Sequence, residues 1–202
     1  MKDLLPAELP AAYLLPLLIV ALLLTWLVIR WRRSHSRTLS HALDLIAFER
    51  IEDLVIPNAD EGEIQIHHLV LTAQGLLIVD VKDVRGAVFG SDKMQEWAVI
   101  AEDRRFTFAN PQHALYDRIA AVRQIVREVP VSGRIVFLDG AEFTKGVPSM
   151  VATLDELIEE FGENDKAAAK VKIEAFMPHW DLIHQTAEVL VTGRMSRKRP
   201  HL

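Results

Sequence analysis

The sequence predicts a mixed α/β domain preceded by one transmembrane helix. Two observations carry this prediction. The first is an uncharged, mostly apolar run near the N-terminus, AAYLLPLLIVALLLTWLVI at residues 11–29. The second is the order of the patterns that follow it, because strand-like segments come first and a strand and helical segments then alternate. This order is typical of layered architectures in which helices pack on a mixed sheet.

A helix over residues 11–29 is long enough to cross a membrane, since its length of roughly 28 Å is close to the thickness of a bilayer core. Four basic residues follow the run directly, namely Arg30, Arg32, Arg33 and Arg37. The positive-inside rule then places residues 1–10 outside the cell inner membrane and the rest of the chain in the cytoplasm. A cleaved signal peptide is the alternative, but no small-residue cleavage site follows the run.

Charge divides the remaining chain into a basic juxtamembrane linker at residues 30–40, a cytoplasmic domain at 41–193 and a basic tail at 194–202. Residues 38–193 carry a net charge of −12, whereas residues 1–37 carry +3 and the tail carries +4. The basic ends suit anionic lipid headgroups, and a solvated terminus is the other interpretation of the tail. The acidic body argues against tight nonspecific binding of nucleic acid. The sequence has no cysteine, which excludes disulfides and thiolate metal sites.

Hydrophobic periodicity predicts the first elements of the domain. A weak helical pattern covers Leu43–Ile51. Strand patterns follow, bounded by glycine, proline and asparagine, at Asp53–Pro57, Glu63–Thr72, Leu76–Lys82, Gly86–Gly90, Glu96–Ile100 and Arg105–Phe108. The run LLIV in the third strand indicates burial on both faces.

Helical signals dominate the second half of the domain. Asn110 caps a helix with Pro111 in its first turn, and apolar residues recur in it at spacings of three and four. A buried strand is predicted at Arg134–Leu138 and a short one at Val151. Helices are predicted at Leu154–Phe161 and Ala167–Val191, the last of them interrupted near Met177 and Pro178.

Candidate chemistry lies where the second and third strands meet. Asp80 and Lys82 are two residues apart on a strand and therefore share a face, as a metal ligand and a phosphate-polarising cation do in nucleases. Glu63 and His67 share a face of the preceding strand. We therefore take Asp80, Lys82 and His67 as candidate catalytic residues. Asp80, His67 and Glu63 are candidate ligands of a divalent metal, Mg or Mn. The alternative is a strand that ends in charged residues at the solvent and needs no cofactor.

The segment QIHHLVLTAQGLLIVDVKDVRGAVFG at residues 65–90, with Trp97 and the later FTFANP, resembles the nuclease-related domain (NERD) family. The resemblance covers roughly residues 45–160. It implies the PD-(D/E)XK restriction-endonuclease-like fold, in which helices flank a mixed central sheet. It also implies an ancestor that cut DNA with a divalent metal.

The departures from the family pattern fall on the site. His67 stands where the family has an aspartate, and Asp80-Val81-Lys82 stands for the family's E-x-K. The family's glutamine after "NP" falls near Ala114, with Gln112 close by. Imidazole suits Zn, Fe or Mn better than Mg.

Two functions therefore remain open. One is a membrane-anchored, metal-dependent phosphodiesterase that acts on DNA through a degenerate site. The other is a catalytically inactive nuclease-fold module that binds a protein partner at the membrane. The sequence leaves the oligomeric state open.

Overall fold

The computed structural model describes residues 39–57, 62–102, 104–163 and 166–197, together with Leu23 and Trp26. The chain forms two compact units, residues 1–40 and residues 41–202. In the first unit, Leu23 and Trp26 have helical backbone and exposed side chains.

The N-terminal predictions fall mostly outside this description. The segment 1–10, nearly all of the span 11–29 and most of the linker 30–40 are not among the described residues. Within the part of the chain that the structure describes, no helix is both long enough and apolar enough to cross a membrane.

The described residues from 39 onwards form nine strands and four helices. Residues 39–46 are helical, and we label this segment α1. The strands that follow are β1 (Glu49–Pro57), β2 (Glu63–Thr72), β3 (Gly75–Lys82), β4 (Gly86–Phe89), β5 (Glu96–Ile100) and β6 (Arg105–Ala109). The remaining elements are α2 (Pro111–Ile125), β7 (Val131–Phe137), β8 (Ala141–Phe143), β9 (Val151–Ala152), α3 (Leu154–Phe161) and α4 (Lys166–Arg197).

The strands form two mixed sheets. The larger has the order β1-β2-β3-β7-β9, in which β1, β2 and β3 are antiparallel and β7 and β9 run parallel to β3. The smaller has the order β6-β5-β4-β8, with β8 parallel to β4. The prediction of a mixed α/β fold with flanking helices is confirmed, although two sheets replace the single central sheet that we expected.

Strand β3 is the middle strand of the larger sheet, and both of its faces are buried. One face contributes Leu76 and Ile78 to a core with α2 and α4. The other face contributes Leu77 and Val79, which are also buried. This position explains the LLIV run, because a strand that is covered on both sides has no residue that faces the solvent and therefore no polar residue.

Helices cover the two faces of the larger sheet in different ways. Helices α2 and α4 bring apolar side chains to one face, chiefly Leu115, Ile119, Val122, Ile173, Trp180 and Ile183. Helix α3 lies on the other side, where Glu160 pairs with Arg134 of β7 and the guanidinium of Arg134 lies over the Phe161 ring. The site described below lies on the face that α2 covers.

Several predicted element boundaries were wrong. The strand predicted at Arg134–Leu138 is β7, which begins at Val131 and ends at Phe137. The helical pattern at Leu43–Ile51 is helix only as far as residue 46, and β1 begins at Glu49 instead of Asp53. Helix α4 runs through Pro178 without interruption and extends to Arg197, so the predicted tail starts inside it. The apolar stripe formed by Ile173, Phe176, Trp180 and Ile183 stays in phase across the proline, and its packing offsets the lost backbone hydrogen bond.

Candidate functional site

Asp80 is a buried charge near the end of β3, and its partner is Arg118 of α2. The Nη1 atom of Arg118 donates to the Oδ2 atom of Asp80 at 2.8 Å. The side chain of Asp80 is 5% exposed and that of Arg118 is 19% exposed, so the pair is largely removed from water. A buried carboxylate needs such a partner, because desolvation strongly disfavours an isolated charge.

Arg118 also joins two strands at the point where they separate. The β2–β3 ladder runs from the pair Thr72 and Gly75 to the pair His68 and Val79. Beyond that pair, the Nε atom of Arg118 donates to the backbone oxygen of Gln65 at 2.8 Å. The guanidinium therefore bridges a β2 carbonyl and a β3 carboxylate, which fixes α2 against the sheet at this position.

The same register relates the predicted residues to one another. His67 of β2 and Asp80 of β3 each lie one residue beyond the last pair of this ladder, His68 with Val79. His67 is exposed, and Lys82 is half-buried at the end of β3. His67 and Asp80 therefore lie at the same end of the β2–β3 ladder. Lys82 lies two residues further along the same strand face.

Glu63 lies apart from this pair. It is the first residue of β2 and pairs with Pro57 of β1. Four residues separate it from His67, which is about 13 Å along a strand. Among the described residues, no three histidine, aspartate or glutamate side chains come together in a way that could hold a metal ion.

One oxygen at the site has no partner. The Oδ1 atom of Asp80 is buried and accepts no hydrogen bond from any described group. A buried acceptor without a donor costs about 1–3 kcal/mol, so its presence needs a reason. The other oxygen of the same carboxylate, Oδ2, is the one that accepts from Arg118.

His68 lies one residue from His67, is half-buried, and pairs with Glu52 of β1 and Val79 of β3. Burial lowers the pKa of His68, and the nearby Glu52 carboxylate offsets part of that effect. Its Nδ1 atom is buried without a hydrogen-bond partner in the described structure. Neutral imidazole is thus the favoured form at this position.

Sequence reasoning missed Arg118 of the site, and it also missed an irregularity of β1 at Asp53. Asp53 has φ of 52° inside β1, which is unusual for a residue other than glycine. The β1–β2 register places it across from His67, and its Oδ1 atom receives a weak hydrogen bond of 3.4 Å from Gln65. Backbone strain of this kind concentrates at functional sites.

Gln112 has a structural role. It is buried, and its Oε1 atom accepts a hydrogen bond from the Met150 amide at 3.1 Å. The neighbouring Asn110 caps α2 by accepting from the Gln112 amide, and its Nδ2 atom donates to the Met94 carbonyl. These contacts tie the start of α2 to both sheets.

The fold and the site together define a nuclease-like α/β domain whose central strand ends in an aspartate and a lysine. A family model described as "Nuclease-related domain" (NERD) matches residues 33–138, just over half of the chain. The chain belongs to the NERD family. The match begins and ends earlier than the resemblance in the sequence indicated, and it leaves out α3 and α4.

Other comparisons are less informative. An uncharacterized protein of Bacillus anthracis is 30% identical over 64 residues, which are 32% of this chain and 30% of that protein. The chain thus spans less than a third of that relative's length. No solved structure matches the chain.

Proposed function

We propose that this protein is a noncatalytic member of the NERD family, a nuclease-fold module that binds a partner at the membrane. One observation carries the proposal. Asp80, the expected metal ligand at the end of β3, is already paired with the guanidinium of Arg118. A carboxylate that binds a divalent metal uses its oxygens as ligands, whereas one oxygen of Asp80 accepts a hydrogen bond from a guanidinium.

The described residues do not fit a bound Mg or Mn ion. A hard divalent cation takes about six oxygen ligands, several of them from carboxylates. His67, one residue beyond the end of the β2–β3 ladder, offers an imidazole nitrogen instead of a carboxylate, and Glu63 lies four residues from it along β2. No described group of three acidic or imidazole side chains is available in place of these residues.

A protein is the preferred partner of such a module. Residues 38–193, which contain nearly all of the described structure, carry a net charge of −12. A net charge of this sign repels the phosphate backbone of nucleic acids. DNA is the alternative partner, and the family membership is what favours it.

The membrane anchor belongs to the same proposal. The uncharged run at residues 11–29 and the arginines after it support a single span with residues 1–10 outside. The domain would then lie on the cytoplasmic side of a cell inner membrane. Carbonate extraction of membranes tests the span, because a spanning protein stays in the pellet and a peripheral one is released.

A second candidate is a metal-dependent phosphodiesterase of the PD-(D/E)XK type. The unpartnered Oδ1 atom of Asp80 favours it, because a cation is one group that would satisfy this oxygen. In that case Asp80 would hold the metal and Lys82 would face the phosphate. His67 would contribute a nitrogen ligand.

A calorimetric titration with Mg²⁺ and Mn²⁺ separates the two candidates. The purified protein and the Asp80→Asn variant are compared, together with cleavage of single- and double-stranded DNA and RNA. We expect neither protein to bind metal or to cut. Metal binding by the wild type that disappears in Asp80→Asn, with both proteins folded, would establish the phosphodiesterase instead.

A further inference from the structure

Strand β6 is one edge of the smaller sheet, with β5 as its neighbour. Two hydrogen bonds fix which of its backbone groups face β5. The Ala101 amide donates to the Arg104 carbonyl at 2.9 Å, and the Asn110 amide donates to the Gln95 carbonyl at 2.8 Å. Hydrogen-bonded pairs alternate along an antiparallel ladder, so Phe106 and Phe108 also face β5. The backbone groups of the alternate residues, which are Arg105, Thr107 and Ala109, point away from the sheet.

Among the described residues, this edge has less of the protection that edge strands usually have, since Arg105 is the one charged residue of β6. Of the five residues of β6, all except Phe108 are exposed, and Phe106 is 41% exposed. Strand β1, an edge of the larger sheet, has charged residues, a kink at Asp53 and a terminal proline. Strand β6 has no proline and no residue with positive φ. A regular edge with exposed apolar residues is a template for another strand.

The sequence of β6 is complementary to itself when two copies run antiparallel about Thr107. Thr107 then lies opposite Thr107 of the second copy, and Arg105 lies opposite Ala109. These are the residues whose backbone groups point away from β5, so each facing pair can exchange two hydrogen bonds. No like charges face each other in this arrangement, which would be destabilising.

The aromatic residues also match in this register. Phe106 lies opposite Phe108 of the second copy in a non-hydrogen-bonded pair, the type in which side chains approach most closely. Within one chain, Phe106 and Phe108 have ring centroids 6.5 Å apart, and Phe108 meets Trp97 edge-on at 6.1 Å. Pairing would extend this aromatic row across the two copies and remove Phe106 from water.

We propose that two copies of this chain pair antiparallel through β6, centred on Thr107, so that the two four-stranded sheets become one continuous sheet of eight strands. The contact is independent of the site around Asp80. A five-residue strand buries less than the roughly 800 Å² per partner of a standard interface, so the dimer is weak and depends on concentration.

Disulfide crosslinking of the full chain tests the contact, because the sequence has no cysteine and each introduced thiol is the only one. In Thr107→Cys, the two sulfurs would face each other across the dimer axis. Opposed residues of a hydrogen-bonded pair have Cα atoms about 5.5 Å apart, which is within the range of a disulfide. Lys170→Cys is the control, since this side chain is 74% exposed on α4, away from the interface.

The proposed register makes a second experiment specific. Arg105→Cys and Ala109→Cys should crosslink with each other when mixed, and each should crosslink poorly with itself. Under air oxidation with copper–phenanthroline, we expect Thr107→Cys to form covalent dimer roughly tenfold faster than Lys170→Cys, because the paired thiols meet at a high effective concentration. Adding Phe106→Glu to Thr107→Cys should remove this difference while the protein stays folded by circular dichroism.

Either of two results overturns the proposal. If Thr107→Cys crosslinks no faster than Lys170→Cys, β6 does not pair with a second copy, and a strand of a different protein becomes the occupant to consider. If Thr107→Cys crosslinks but the mixed Arg105→Cys and Ala109→Cys pair does not, the copies meet in another register and the pairing centred on Thr107 is wrong.

Discussion

Arg118 and Asp80 form a buried ion pair in which the guanidinium Nη1 atom donates to the carboxylate Oδ2 atom at 2.8 Å. We expect Arg118→Met to lower the free energy of unfolding by about 3–5 kcal/mol, because it leaves a buried carboxylate without a partner. The double variant Asp80→Leu/Arg118→Met should recover most of this loss, since two apolar side chains need no pairing there. Urea unfolding of the single and double variants measures both effects.

An exposed ion pair provides the control for this prediction. Lys170 and Glu174 lie one helical turn apart on α4, with their charged atoms 3.9 Å apart. Lys170→Met should change the stability by less than about 0.5 kcal/mol, because water screens the pair. An effect of Arg118→Met that is equally small would show that Asp80 does not depend on Arg118.

His68 makes the stability depend on pH. Burial lowers the pKa of His68 from its ordinary value of 6.5, so the folded protein takes up its proton at a lower pH than the unfolded chain does. As far as His68 determines it, the free energy of unfolding is therefore highest above about pH 6.5 and decreases as the pH falls towards the lowered pKa. His68→Gln should flatten this part of the profile, measured as urea midpoints between about pH 7.5 and about pH 5.

His113 offers a matched control, because it is exposed on α2 and its substitution also removes one imidazole. The profile of His113→Gln should run parallel to that of the wild type. If His68→Gln also runs parallel to the wild type, then burial of His68 is not a source of acid sensitivity.

Trp180 attaches α4 to the sheet. Its ring is buried in the core, and its Nε1 atom donates to the Oε2 atom of Glu49 on β1 at 2.7 Å. We expect Trp180→Ala to cost about 3–5 kcal/mol through loss of packing. Trp180→Phe keeps most of the apolar volume but loses the bond to a charged group, worth about 1.5–3 kcal/mol.

The two Trp180 variants can be separated by a third substitution. Glu49→Gln weakens the acceptor without changing the packing, and it should have little further effect in the Trp180→Phe background. A full additional loss in that background would mean that Glu49 stabilises the protein through another contact. Unfolding monitored by circular dichroism is the measurement.

Much of the fold was predictable because the local signals agree with the tertiary structure. The ends of β2 and β5 were predicted to the residue, since alternating or buried β-branched residues are bounded there by turns. The start of β1 was missed because the sequence from residue 43 to 51 also fits a helical period. The continuity of α4 was missed because a proline in a local sequence pattern predicts the end of a helix. In the folded protein, packing of the apolar stripe on the sheet keeps the helix continuous through Pro178.

The site was predictable only in part. Asp80 was recognised as a charge at the end of an apolar strand, but its partner lies 38 residues away in the sequence. A signal for Arg118 was present, because it lies three residues after Leu115 and four before Val122 on the buried side of α2. A cation on the buried side of a helix predicts that a buried acid lies on the element it packs against. The sequence does not show which acid this is, because that depends on how α2 packs on β3.

His67→Asp tests whether the site retains the frame of a metal-binding nuclease. The substitution places a second carboxylate on β2, one residue beyond the last pair of the β2–β3 ladder, where the resemblance to the family implies an aspartate. Two neighbouring carboxylates repel each other, and Arg118 can neutralise only one of the two charges. A divalent cation would relieve the remaining repulsion, so we expect His67→Asp to bind Mn²⁺ or Mg²⁺ with a Kd on the order of millimolar, about −4 kcal/mol.

His113→Asp adds the same charge on the exposed side of α2 and should bind neither ion. Calorimetry measures the affinity, and the rise in melting temperature with added metal provides an independent readout. If His67→Asp stays folded and binds no more metal than His113→Asp, the strands around Asp80 no longer hold the geometry of a metal site. The proposed binding module would then have lost the frame of the nuclease site as well as its ligands.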